Sequence, residues 1–154
     1  MLHKALLVIS SLIGFTACNS KPNNIQHETL TGISAKYWDK IYATDIYGIG
    51  YSPIDKLGNP THCDKFETSG RVTHYSYLDS LSISESDCGS DLVVNPDSFN
   101  FESDSTLHFG GRTYNVYVLS KDIMVLKFGP SKNRIATVIY KASKLQSKKL
   151  VKCN

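Results

Sequence analysis

The stretch Phe99–Tyr140, FNFESDSTLHFGGRTYNVYVLSKDIMVLKFGPSKNRIATVIY, decides the fold. Runs rich in Tyr, Val, Ile and Thr are separated by short turn signals, the pattern of an antiparallel meander. Gly110-Gly111 stands between Thr106–Phe109 and Arg112–Leu119, and two glycines supply the positive φ that a two-residue hairpin turn requires. Lys121-Asp122 then reverses the chain into Ile123–Phe128, and Gly129-Pro130 with Ser131–Asn133 leads into Arg134–Lys141. Strict alternation places Tyr114, Val116 and Val118 on one face, and likewise Met124, Leu126 and Phe128, giving the sheet a continuous apolar side.

Earlier in the chain, Ser69-Gly70 marks another hairpin between Thr61–Thr68 and Arg71–Leu78, with Tyr75 and Tyr77 on one face of the second strand. Leu81–Glu85 and Leu92–Val94 read as short strands. Ala35–Thr44 holds the lone tryptophan; Trp38, Ile41 and Tyr42 fit a helical turn, but the β-branched and aromatic content favours a first strand. Asp45–Pro60 carries Gly48, Gly50, Pro53, Gly58 and Pro60, so it reads as a long irregular connection, a bland surface loop in preference to a binding-site mouth. Ile25–Ser34 is a lead-in that closes one end of the fold, while Leu145, Leu150 and Val151 let a lysine-rich tail pack back. The sum is an all-β domain of about eight strands with no long helix, a small antiparallel meander barrel or barrel-like sheet.

Composition agrees with this class. A 41% apolar and 20% charged share among 154 residues suits one globular domain and argues against disorder. The formal charge of +3 owes much to Lys141, Lys144, Lys148, Lys149 and Lys152, which read as a solvated end. No basic stripe interleaved with aromatics calls for nucleic acid, and none is expected as a partner.

The N-terminus carries an address. MLHKALLVISSLIGFTAC has a basic start at Lys4 and an apolar run from Ala5 to Ala17, too short for a comfortable membrane span and right for a signal-peptide core. Phe15 spoils the small-residue pattern of ordinary cleavage after Ala17. Phe15-Thr16-Ala17-Cys18 instead resembles a bacterial lipobox, in which the cysteine becomes the first mature residue and carries lipid such as palmitate. The expected organisation is a signal peptide over residues 1–17, a polar tether over 18–29 and a barrel domain over 30–154. Acyl chains on Cys18 attach a protein to a membrane with about 0.8 kcal/mol per buried CH₂. By resemblance to Gram-negative lipoproteins, Asn19 is not the Asp that retains such proteins at the inner membrane, so the expected location is the bacterial envelope at the outer membrane.

Cys63, Cys88 and Cys153 remain, and in an oxidising compartment two of the three pair. Spacing does not choose among the three pairings. The odd cysteine is consistent with Cys18 being lipidated.

Three segments, LTGISAKYWDKI, KFETSGRVTHY and FNFESDSTLHFGGRTYNVYVLSKDIMVLKF, are together similar to the lipocalin-like domains of bacterial lipoproteins. The carriers are Gly32 and Trp38, Phe66 and Gly70, Tyr114, and Leu119-Ser120-Lys121-Asp122, in that order along Leu30–Lys141. The resemblance implies an antiparallel barrel whose apolar interior holds a small hydrophobic ligand or lipid. The candidate lining is Trp38, Tyr75, Tyr114, Val116, Met124 and Leu126. A barrel of this size either holds one small ligand or fills its interior with side chains, and the same residue types serve both uses. Trp38 reads better as a plug at the barrel end than as a ligand contact. The competing function is a non-enzymatic envelope scaffold or interaction module with a filled core.

No catalytic constellation stands out, and no enzyme activity, cofactor or metal is expected. His62-Cys63-Asp64 sets thiol, imidazole and carboxylate side by side, but alternation along a strand turns His62 and Asp64 away from Cys63. A nucleophilic site there needs His74 or His108 as a base from elsewhere. Cys63, Cys88, His62 and His74 lack the paired close spacings of a zinc site, so disulfide chemistry is the plainer use of the cysteines. Asp87 and Asp91 do not reproduce a calcium loop, and Gly48-Ile49-Gly50 lacks the third glycine of a dinucleotide loop.

Overall fold

The computed structural model describes residues 24–79, 82–85, 96–143 and 149–151. The expected signal peptide, lipobox and Leu92–Val94 strand, together with Cys88 and Cys153, lie outside the described residues. The elements are α1 (Asn24–Thr31), β1 (Ala35–Thr44), β2 (Gly50–Tyr51), β3 (His62–Glu67), β4 (Arg71–Tyr77), β5 (Ser82–Glu85) and β6 (Asp97–Ser98). They continue with β7 (Asn100–Ser103), β8 (Thr106–Phe109), β9 (Arg112–Leu119), β10 (Ile123–Ser131), β11 (Arg134–Ala142) and β12 (Lys149–Val151).

All strands join one sheet in the order β12-β5-β4-β3-β1-β11-β10-β9-β8-β7, with β2 on β1 and β6 on β4. Pairing is antiparallel except between β12 and β5. The sheet curls into a half-barrel, and the two ends of its path do not pair with each other. The predicted meander is present as β7 to β11. What local signals do not reveal is that β1 inserts between β3 and β11 and so welds the meander to the β3–β4–β5 unit.

Turn chemistry explains the registers. Phe109 pairs with Arg112 across Gly110 and Gly111, whose φ values of 58° and 66° make the two-residue turn. The other hairpin differs by one residue from the sequence reading. Phe66 pairs with Val72, the Gly70 N–H donates to the Glu67 carbonyl, and Gly70 takes φ 84°, so a longer loop replaces the bare Ser69-Gly70 turn. The β10 strand runs to Ser131, with a register shift between Phe128 and Ser131. A Cβ on Gly129 would lie 1.8 Å from the Arg134 carbonyl oxygen, so only glycine fits this bulge.

A second bulge corrects the face assignment. Val116 pairs with Leu126 but Val118 with Val125, leaving Tyr117 as the extra residue. Tyr114 and Val116 therefore face the concave core, whereas Val118 turns outward and is exposed. Met124, Leu126 and Phe128 keep the shared face expected of them.

The core lies on the concave side. Rings run in edge-to-face and stacked contact from Phe99 to Phe66 (5.2 Å), Phe66 to Phe109 (5.2 Å), Phe109 to Tyr114 (4.6 Å) and Tyr114 to Phe128 (5.1 Å). One end is closed by the lead-in, which is a helix overlapping the expected tether. Helix α1 ends at Gly32, whose N–H reaches the Glu28 carbonyl at 2.7 Å with φ 65°, a C-cap that β-carbon residues take poorly. It buries Leu30, whose carbonyl accepts the Trp38 indole N–H at 2.8 Å. Trp38 is 0% exposed and acts as the plug of that end.

Candidate functional site

Five of the six candidate lining residues, Trp38, Tyr114, Val116, Met124 and Leu126, meet in the concave core. Tyr75 sits on the opposite face, with Cys63 and Ile83 in a small second cluster under Tyr37 and Tyr77. None of the six lines either of the two clefts described below.

The buried chemistry of the concave face centres on Asp64. Strand β3 directs Asp64 and Phe66 inward and Cys63 outward, as alternation requires. Asp64 lies opposite His74 on β4, and its Oδ1 is 2.7 Å from His74 Nδ1. Its Oδ2 accepts the Tyr140 hydroxyl at 2.8 Å. Burial favours the neutral acid, but the His74 hydrogen bond, the Lys40 charge and the Tyr140 hydroxyl outweigh it and hold the carboxyl below its ordinary range. Burial likewise opposes charge on His74, yet Asp64 raises its pKa above the ordinary value. The result is a buried ion pair with a hydroxyl cap, away from the Cys63 sulfur. His108 serves elsewhere, bonded to Glu102 and Thr113 on the outer face of β8.

The larger cleft, about 850 Å³, opens between the loop at 54–61 and the ends of β1, β4 and β11. Ile41, Ile54, Leu57, Pro60 and Leu78 form its apolar wall. Asp39, Asp55, Asp79 and Lys141 supply charge. Asp55 fixes the loop: its Oδ1 accepts the N–H groups of Leu57 and Asn59, both at 2.8 Å, while its own N–H reaches the Asn59 carbonyl. The Asn59 and Leu57 amides lower the Asp55 pKa. The same turn occurs ten residues earlier at Asp45, which accepts from Tyr47 and Ile49. At the cleft floor the Tyr77 hydroxyl donates to Asp39 Oδ1 at 2.5 Å, and burial with this bond raises the Tyr77 pKa. The cleft is thus part apolar and part acidic, and its loop belongs to the segment read as a bland connection.

A smaller cleft of about 330 Å³ lies between Asp97, Asn100, His108 and Arg112, where the Gly110 N–H donates to Asp97 Oδ2. Among the described residues no group of three His, Cys, Asp or Glu is placed to hold a metal ion. Among them, too, no helix is long and apolar enough to cross a membrane.

Neither the Asp64 network nor the larger cleft was singled out by the sequence reading. A hairpin register one residue different would have named His74 as the partner of Asp64. No local signal identifies the cleft, because its walls come from four separated segments. No protein-family model matches the chain, and no curated protein matches it.

Proposed function

We propose that the chain is a non-catalytic interaction module of the bacterial envelope, attached to the outer membrane through lipid on Cys18. The observation that carries this reading is the ring stack from Phe99 to Phe128, which occupies the concave face where a barrel ligand would lie. With the interior filled, contact with another molecule falls to the loops and the outer face. The resemblance to lipocalin-like lipoprotein domains then concerns the framework and not an internal ligand.

The mixed lining of the larger cleft supports a second reading, in which a small amphiphilic or hydrophobic ligand binds beside the loop at 54–61 instead of inside the sheet. Native mass spectrometry of the chain purified from envelopes separates the two. A mass accounted for by polypeptide and acyl chains alone, unaltered by added fatty acid, supports the interaction module. A stoichiometric extra mass that Leu57→Asp removes and Leu126→Ala retains supports the cleft ligand.

A further inference from the structure

We propose that the outer face of β9, β10 and β11 rests on an anionic lipid surface. The bulge in β9 turns two successive residues, Tyr117 and Val118, outward, and Tyr117 is 69% exposed. Val118 pairs with Val125, Val125 with Ile139 and Ile139 with Tyr42, so an apolar row crosses four strands on the face away from the core. Ile135 adds to it at the hairpin end.

A cation borders this row: Lys127 lies over the Tyr117 ring at 3.8 Å. On the outer side of residues 112–142, Lys127 and Lys141 stand on the strands and Lys121 and Lys132 in the adjoining turns, with one acid, Asp122, whereas Arg112 and Arg134 share the strand faces of Tyr114 and Ala136 toward the core. Such a segment attracts an anionic surface.

Tyrosine, aliphatic side chains and long cations together fit a bilayer surface: the rings sit at headgroup depth, the stems lie along apolar surface and the charges stay with phosphate. A second copy of the chain offers the same basic face and would repel it. The contact is separate from the filled-core reading and from lipid on Cys18, and either of those can fail without it.

Tyrosine nitration mapped by peptide mass spectrometry tests the contact on the full chain, free and with vesicles. Vesicles of phosphatidylcholine with phosphatidylglycerol should slow nitration of Tyr117 several-fold, and added salt should restore it. Pure phosphatidylcholine vesicles should leave it unchanged. Each cation beside an anionic surface contributes roughly a fivefold gain in partitioning, so the double variant Lys127→Gln with Lys132→Gln should weaken partitioning about thirtyfold and abolish the protection. Its unfolding midpoint should remain that of the parent. Equal reactivity with and without anionic vesicles overturns the proposal. So does protection on both lipids alike. Protection without vesicles that grows with protein concentration overturns it in favour of self-association.

Discussion

Tyr140 and Asp64 are 76 residues apart in sequence and joined by a hydrogen bond of 2.8 Å, Tyr140 Oη donating to Asp64 Oδ2 across the intervening strand β1. The bond ties the meander to the β3–β4 hairpin. A buried carboxylate is costly unless its oxygens are all engaged, and here His74 and Tyr140 take one each.

Removing one member of this network leaves the others uncompensated. Tyr140→Phe should lower the unfolding free energy by about 1.5–3 kcal/mol, the range for a hydrogen bond to a charged group. Asp64→Ala should cost about 3–5 kcal/mol, because it leaves buried positive charge near Lys40. Urea titrations with a common slope measure both. Equal costs for the two variants would show that the charge contributes nothing beyond the one bond.

The same pair sets a pH window. The folded-state pKa of Asp64 lies below its unfolded value of 3.8, so its contribution is present above that value and lost as pH falls through the folded pKa. The folded-state pKa of His74 lies above its unfolded value of 6.5, so its contribution is full below 6.5 and lost as pH rises through the folded pKa. Thermal stability should therefore be highest between about pH 4 and 6.5 and decline on both sides. His74→Gln should flatten the alkaline decline and also weaken the acid one, because the His74 hydrogen bond is the largest influence that lowers the Asp64 pKa. An unchanged alkaline slope in that variant would assign the titration to another group.

Trp38 should matter through volume and through its bond to α1. Trp38→Phe loses the indole donor to the Leu30 carbonyl and part of the ring, with an expected cost of about 2–3 kcal/mol. Leu30→Ala should cost about 2–5 kcal/mol, since Leu30 is fully buried. If chemical denaturation finds Leu30→Ala neutral, α1 does not close the core in solution.

Glycine substitutions separate shape from propensity. Gly58 has φ 84° with nothing within 4 Å of an added Cβ, so Gly58→Ala should cost only about 1–2 kcal/mol, from the left-handed backbone. Gly129→Ala must push the Arg134 carbonyl aside and should lower the melting temperature considerably more. Comparable melting temperatures for the two would mean that the β10–β11 hairpin opens without penalty.

Much of the fold was legible from local chemistry. Gly110-Gly111 sets its hairpin because a two-residue turn demands positive φ at both positions, and the strands Ala35–Thr44, Thr106–Phe109 and Arg112–Leu119 end where alternation and turn residues say they should. Other features needed the third dimension. The bulge at Tyr117 adds one residue and reverses the face of Val118, an event that leaves no mark on an alternating pattern. One extra residue in the loop ending at Gly70 sets Asp64 opposite His74, where a two-residue Ser69-Gly70 turn would have set it opposite Tyr75.

The all-β character of the chain, its turns, its apolar strand faces and the tryptophan at one end could be read locally, because those depend on neighbours two to four residues away. It took the packing of distant segments to set β1 between β3 and β11, to run one ring stack through the concave core, and to bury a carboxylate at the seam. Each depends on residues tens of positions apart meeting in space, and such pairings carry no local period to read.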